Sequence, residues 1–242
     1  MRKFIFVERN GIHIIDLNKT LTQVQVACGF LHEIILNGGT ILFVGTKKQA
    51  QQEMKETAIR TNMPYVVDRW LGGTLTNLRT IRKSVGRMKE IDRILLAPEA
   101  AQMAKKEVAR LKREQYKLHR NLDGIVNMER PPSAVFVVDI LREQIAIHEA
   151  RRLKIPIIAV VDTNCDPDDV TYPIAGNDDA IRAIKLLSTI IGDTIAEAQA
   201  ELGRKQPAAE AAAEQAMREA SAPVETVPPL VSQPAEQPAA TA

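Results

Sequence analysis

Apolar and polar positions along the chain change period several times, and each change marks an element. Phe4-Ile5-Phe6-Val7 and Ile12-His13-Ile14-Ile15 are short β-branched and aromatic runs separated by Glu8-Arg9-Asn10-Gly11. Asn-Gly tolerates positive φ, so the pair reads as a β-hairpin. Asp16 or Asn18 then caps a helix to about Leu36, and Asn37-Gly38-Gly39 supplies residues on which helices commonly end. Thr40-Ile41-Leu42-Phe43-Val44 is a continuous apolar run, as expected of a parallel strand covered on both faces. A helix from about Lys47 to Thr61 and a short strand at Tyr65-Val66-Val67 follow. Later come a strand at 134–139, a helix near 143–153, a strand at 156–162 and a long helix from about Asn177 to about Leu202. Strands alternating with helices across short loops predict an α/β fold, a parallel-sheet sandwich of flavodoxin or Rossmann type over residues 1–77 and 126–203.

Residues 78–125 depart from this plan. Their first half places apolar side chains at Leu78, Ile81, Val85, Met88, Ile91 and Leu95. Their second half places them at Ala104, Val108, Leu111, Leu118, Leu122 and Ile125, with Gln115 interrupting the row. Three-and-four spacing in both halves predicts an inserted antiparallel helical hairpin, a coiled-coil arm protruding from the sheet domain, with Pro98 near its turn. From Pro207 onward Ala, Pro, Glu and Gln dominate and no aromatic occurs, so residues 204–242 are expected to form a disordered tail. Within it, 210–220 is expected to be transiently helical because alanine favours helix.

Charge sharpens the picture. The formal net charge of the 242 residues is only +2. The segment 207–242, however, holds five Glu against Arg218, a net of −4, which leaves +6 for the remainder. Residues 79–120 carry thirteen Lys or Arg against five Asp or Glu, a net of +8, so this one segment holds all of that excess. Cys28 and Cys165 are far apart and form no C-x-x-C pair, which fits a reduced cytosolic protein with structural thiols. No apolar run reaches the length of a membrane span and no signal peptide precedes the first strand, so the expected setting is the cytoplasm, with no membrane partner.

The run Arg69-Trp70-Leu71-Gly72-Gly73-Thr74-Leu75-Thr76-Asn77 contains the sole tryptophan, a Gly-Gly pair and several hydroxyl or amide side chains, but no histidine, cysteine or carboxylate. It can grip a surface through backbone N–H groups, a guanidinium and a flat ring; it cannot by itself run acid–base or nucleophilic chemistry. Trp70 has a second reading, as a plug in the core, while Arg69, Asn77 and Arg79 suit phosphate or base contact. Gly45-Thr46-Lys47-Lys48 lies between a strand and a helix, where free N–H groups and a partial positive charge favour a phosphate; the alternative is a pair of solvated lysines. Asp139, Asp162, Asp166, Asp168, Asp169, Asp178 and Asp179 make a carboxylate-rich rim. It reads either as a metal or phospho-acceptor site or, preferably, as turn and cap chemistry around Asn177. The four histidines fall in separate elements, and P-loop, G-x-G-x-x-G and G-x-S-x-G spacings are absent. No catalytic group, metal, cofactor or small-molecule substrate is therefore expected. The candidate RNA-binding residues are Lys47, Lys48, Arg69, Trp70, Asn77, Arg79, Arg82, Lys83, Arg87, Lys105 and Lys106. The rival readings are a nucleotide-binding α/β enzyme and a phospho-acceptor domain using the Asp rim, each with a basic interaction arm.

Four runs carry a resemblance. They are Arg9-Asn10-Gly11-Ile12-His13-Ile14-Ile15-Asp16-Leu17, Leu42-Phe43-Val44-Gly45-Thr46-Lys47-Lys48-Gln49-Ala50, residues 69–77, and Val161-Asp162-Thr163-Asn164-Cys165-Asp166-Pro167 through Gly176-Asn177-Asp178-Asp179-Ala180-Ile181-Arg182. In this order they resemble the family of the second protein of the bacterial small ribosomal subunit, over about residues 1–202. The resemblance implies an α/β sandwich with a protruding helical hairpin. It also implies a structural role in the subunit, contact with its 16S rRNA, and help in docking the mRNA-binding protein numbered one. Members usually carry a further N-terminal segment rich in Gly, His and Trp, whereas this chain begins at Met1-Arg2-Lys3-Phe4, where that segment would end. Members also often place a second proline at the position of Ala175, so the loop Tyr172-Pro173-Ile174-Ala175-Gly176 is expected to be slightly freer here.

Overall fold

Side-chain parity within the strands organises the molecule. The computed structural model describes residues 1–98 and 103–220 and divides into two units, Met1–Gly203 and Arg204–Ala242. In the first unit β3 (Ile41–Val44), β4 (Tyr65–Val66), β5 (Ala134–Val138), β6 (Ile157–Val161) and β7 (Tyr172–Ala175) form one parallel sheet in the order β4-β3-β5-β6-β7. Successive strand residues face opposite ways. Leu42, Val44, Val135, Val137, Ile157, Ala159 and Val161 thus enter one core, and Ile41, Phe43, Ala134, Phe136, Val138, Ile158, Val160 and Ile174 enter the other. Phe43 and Phe136, paired across β3 and β5, meet edge to face with ring centroids 5.7 Å apart.

The second core is closed by α1 (Leu17–Leu36) through Ala27, Leu31 and Ile35, by α2 (Lys48–Arg60) through Ala50, Met54 and Ala58, and by α6 (Ile181–Ala220) through Ile184, Ile191 and Ile195. The first core is closed by α5 (Gln144–Arg152) through Ala146, Ile147 and Ala150, and by the base of the arm. The arm itself is α3 (Leu78–Leu96) and α4 (Lys105–Leu122). Ile81, Val85 and Met88 from α3 and Leu122 from α4 join the same buried cluster as Leu42 and Val44. The arm is thus rooted in the sheet domain rather than tethered only at its ends. Farther out Ile91 and Leu111 are buried.

The local signals translate well. Asn10 and Gly11 have φ of 54° and 77°, and they join β1 (Ile5–Arg9) to β2 (Ile12–Ile15) as an antiparallel hairpin. Asp16 caps α1 by accepting from Asn18 N–H at 3.1 Å.

One expectation needs revision. The segment 172–176 is not a freer loop: Tyr172–Ala175 is the fifth strand of the sheet. Its Ala175 N–H donates to Gln23 Oε1 at 2.9 Å, its C=O accepts from Thr20 Oγ1 at 2.7 Å, and Tyr172 stacks on Phe30. A proline inside a short polar-flanked run concealed the strand, because proline is tolerated at a sheet edge. The last helix extends to Ala220 and so includes 210–220, the stretch in which alanine is expected to favour helix. The rest of the expected disordered tail, 221–242, and the arm's turn at 99–102 lie outside the described residues.

Candidate nucleic-acid interface

Glu149 builds the tryptophan loop. It stands in the buried row of α5, 8% exposed, with Ala146, Ile147 and Ala150 around it in sequence. Its Oε1 accepts from Trp70 Nε1 at 3.1 Å and Gly73 N–H at 2.7 Å; its Oε2 accepts from Leu75 N–H, Thr76 N–H and Thr76 Oγ1. Gly73 reaches this position with φ 89°, which an L side chain rarely adopts. Burial alone would raise the carboxyl pKa. The N–H groups of Thr76 and Gly73 and the indole of Trp70 outweigh it and hold the pKa below the ordinary carboxylate value. Trp70 itself is only 7% exposed and belongs to the core cluster with Leu75. The plug reading therefore describes where its ring lies. Arg69 and Asn77 are exposed, together with Gly72 and Thr76.

The Gly45–Lys48 turn is satisfied from inside. Thr46 N–H donates to buried Glu143 Oε1 at 2.8 Å, and Thr46 Oγ1 accepts from Arg142 Nε at 3.0 Å. Burial pushes the Glu143 carboxyl up. Lys47 Nζ lies 2.7 Å from Asp178 and 2.6 Å from Asp179, with Asp139 at 3.4 Å, and its side chain is 12% exposed. Burial opposes that charge, but the bonds to Asp178 and Asp179 more than offset it and hold the ammonium well above the ordinary lysine range. A phosphate at this turn would have to displace Glu143 and compete with the carboxylates on Lys47; of the two lysines, Lys48 alone is exposed. The same cluster answers the Asp rim. Carboxylate oxygens of Asp162, Asp178 and Asp179 lie within 4.8 Å of one another, and Lys47 already brings a positive charge to two of them. Asn177 Oδ1 accepts from Asp179 and Ala180 N–H, and Asp166 Oδ1 accepts from Asp168 N–H, so local capping explains that part of the loop.

On the arm the candidates separate. Arg79, Arg82, Lys83, Lys105 and Lys106 are exposed. Arg87 instead bonds Glu114 of α4 at 3.0 Å and Glu90 at 2.9 Å, so it braces the hairpin. The gap that Gln115 leaves in the apolar row is a polar layer: Asp92 Oδ1 accepts from Gln115 Nε2 at 2.7 Å and meets His119 Nε2 at 2.9 Å, while Asp123 holds His119 Nδ1 at 2.7 Å.

Sequence reasoning missed a cleft at the carboxyl ends of the strands. The order β4-β3-β5 reverses direction at β3, and open α/β sheets receive ligands beside such a reversal. A cavity of about 960 Å³ lies there, lined by Thr46 after β3, Arg69 after β4, Arg142 and Glu143 after β5, and Arg113, Tyr116 and Lys117 of α4. Tyr116 and Arg142 were not candidates because only the strand order brings α4, the tryptophan loop and the start of α5 together. Glu149 had a signal, a carboxylate at an apolar position of its helix.

Comparison with known proteins agrees with this architecture. The family model described as Ribosomal protein S2 matches residues 1–198. The chain is 54% identical over 198 residues to the small ribosomal subunit protein uS2 of Thermobifida fusca, covering 81% of this chain and 68% of that protein. It is 54% identical over 198 residues to the protein of that name in Micrococcus luteus, covering 81% and 70%, and 52% identical over 205 residues to that of Treponema pallidum, covering 85% and 70%. With most of its length matched by the family model and by these relatives, the chain belongs to the ribosomal protein S2 family.

Proposed function

We propose that the chain binds 16S rRNA of the small subunit mainly through phosphates, using the exposed cations of the arm and the tryptophan loop. Family membership makes it a structural constituent of the small ribosomal subunit, a cytoplasmic particle, and not an enzyme. The observation that carries the RNA reading is the outward display of Arg69, Arg79, Arg82, Lys83, Lys105 and Lys106, in a chain whose positive excess is concentrated in 79–120. Lys48 and Asn77 extend that surface; Arg87, Trp70 and Lys47 act behind it by holding the arm, the loop and the strand ends in place. A second part of the reading is that the chain helps dock the mRNA-binding protein numbered one. The large apolar side chains left exposed on the N-terminal hairpin and α1, Phe6 at 74% and Ile12 at 68% with Leu17 and Leu21, support a protein partner on that side.

The test is RNA binding and subunit incorporation across a salt series. Affinity is expected to fall by about 0.7 to 0.9 log units per log unit of salt for each phosphate contacted. Arg82→Glu with Lys83→Glu should lower incorporation while leaving melting nearly unchanged, because exposed charges add about 1 kcal/mol or less per pair. Leu111→Asp should melt the arm, since it buries a carboxylate with no partner. Affinity that ignores salt, or charge reversals that leave incorporation per folded molecule intact, overturns the reading.

A further inference from the structure

The cleft beside the strand reversal has a composition that differs from the rest of the basic surface. Most of the arm offers cations alone. Here α4 adds Tyr116, 68% exposed, and α5 adds Ile145, 59% exposed, so flat and aliphatic surface lines the same cavity as the charge. Lys112, Arg113 and Lys117 line it without an ion pair to any carboxylate among the described residues. The two carboxylates in the wall are already engaged. Asp68 holds Arg120 at 2.8 Å, and Glu143 holds Thr46 N–H, so neither cancels those cations.

We infer that this cleft clamps an unpaired nucleotide of RNA, its base stacked on the Tyr116 ring and its phosphates on Lys112, Arg113 and Lys117. The inference rests on the RNA reading above and specifies what part of an RNA enters. A duplex hides the faces of its bases, so an aromatic ring gains nothing from it beyond what a lysine would. An extruded or single-stranded base presents both a π face and flanking phosphates, which is the combination of surfaces found here. An acidic peptide would match the cations but leave the ring and Ile145 without a partner. At about 960 Å³ the cavity is near the upper end of small-molecule sites, which leaves room for one nucleotide and its neighbouring phosphates. Its walls are held in place by Glu149 behind the tryptophan loop, by Glu143 and Arg142 at Thr46, and by Arg120 on Asp68.

The chain carries its own reporter, because the sole tryptophan lines the cleft. Full-length protein is titrated with short single-stranded oligoribonucleotides of mixed sequence and, separately, with a blunt RNA duplex, following Trp70 emission and the anisotropy of an end label. Single strands are expected to alter Trp70 emission, and the duplex is not. Tyr116→Ala should weaken the single strand by roughly 5- to 150-fold, the range set by loss of one base–aromatic stack, and leave duplex binding unchanged. Tyr116→Phe keeps the ring and should bind as the parent does. Melting of the Ala variant should match the parent, since the side chain is exposed.

Parent-like binding of single strands by Tyr116→Ala overturns the inference. So does displacement of the oligonucleotide by a poly-glutamate peptide whose binding shows the same dependence on Tyr116. If the Arg82 and Lys83 reversals lower incorporation while Tyr116→Ala changes nothing, the RNA reading stands and the cleft falls; if neither variant has an effect, both fall.

Discussion

Glu149 accepts from Trp70, from backbone N–H groups of the loop and from the Thr76 hydroxyl, and that arrangement makes it a poor place for an apparently mild change. Both carboxylate oxygens face donors, so Glu149→Gln would set an amide NH2 against N–H groups. Glu149→Ala would leave the donors buried without an acceptor. Each variant should lose about 2–4 kcal/mol, a melting shift of roughly 5–15 °C for a domain of this size, with the change concentrated in the tryptophan loop. Thermal melting together with hydrogen exchange over 70–77 checks this; parent-like protection of the loop would refute it. The sign with pH follows from the depressed carboxyl. Its stabilisation is present above the unfolded carboxylate pKa and is lost as pH falls through the lower folded value. At this scale the sequence was partly legible. Trp70 as a core plug follows from residue type alone, whereas the burial of Lys47 among Asp139, Asp178 and Asp179 could not, because those partners lie 92 to 132 residues away and meet only when the sheet forms.

Among the elements, the arm was the most readable and also the most instructive. Three-and-four spacing gave both helices and their seam, because a coiled-coil face repeats along the chain and needs no distant partner. The interruption at Gln115 was read as a gap, yet it is a polar layer joining Asp92 to Gln115 and His119 across the hairpin. Asp92 raises the His119 imidazole, with Asp123 adding to it against burial, and Asp92 is itself held below its ordinary value, chiefly by His119 and then by Gln115. A raised histidine stabilises fully below its unfolded pKa and loses that contribution as pH rises through the folded value. A depressed aspartate stabilises above its unfolded pKa and loses that contribution as pH falls. The layer is therefore tightest between the carboxylate and imidazole titrations. Hydrogen exchange in α3 and α4 is expected to quicken, relative to the sheet, as pH rises above the ordinary histidine value and through the raised folded value of His119, and His119→Gln should flatten that trend. A pH response identical in parent and variant would count against it. The strand 172–175 was the element missed, for the converse reason: β7 is identified by its neighbours β6 and α1 rather than by any pattern of its own.

For the molecule as a whole, alternating apolar runs and helical periods were enough for the α/β class, but not for the order β4-β3-β5-β6-β7, which decides where the cleft opens. That order leaves β7 at one margin of the sheet. Its outward-facing backbone has little left to offer. Ala175 is engaged at both N–H and C=O by Gln23 and Thr20 of α1, and Pro173, two residues earlier, has no N–H at all. An exposed strand margin is the usual template on which one copy of a protein recruits another into an aggregate. Gln23→Ala combined with Thr20→Ala should leave the sheet paired but reopen this margin, and the free protein should then self-associate faster in light scattering at unchanged helix content. Gln23 and Thr20 of α1 thus occupy backbone groups with which a second copy of the chain would otherwise pair.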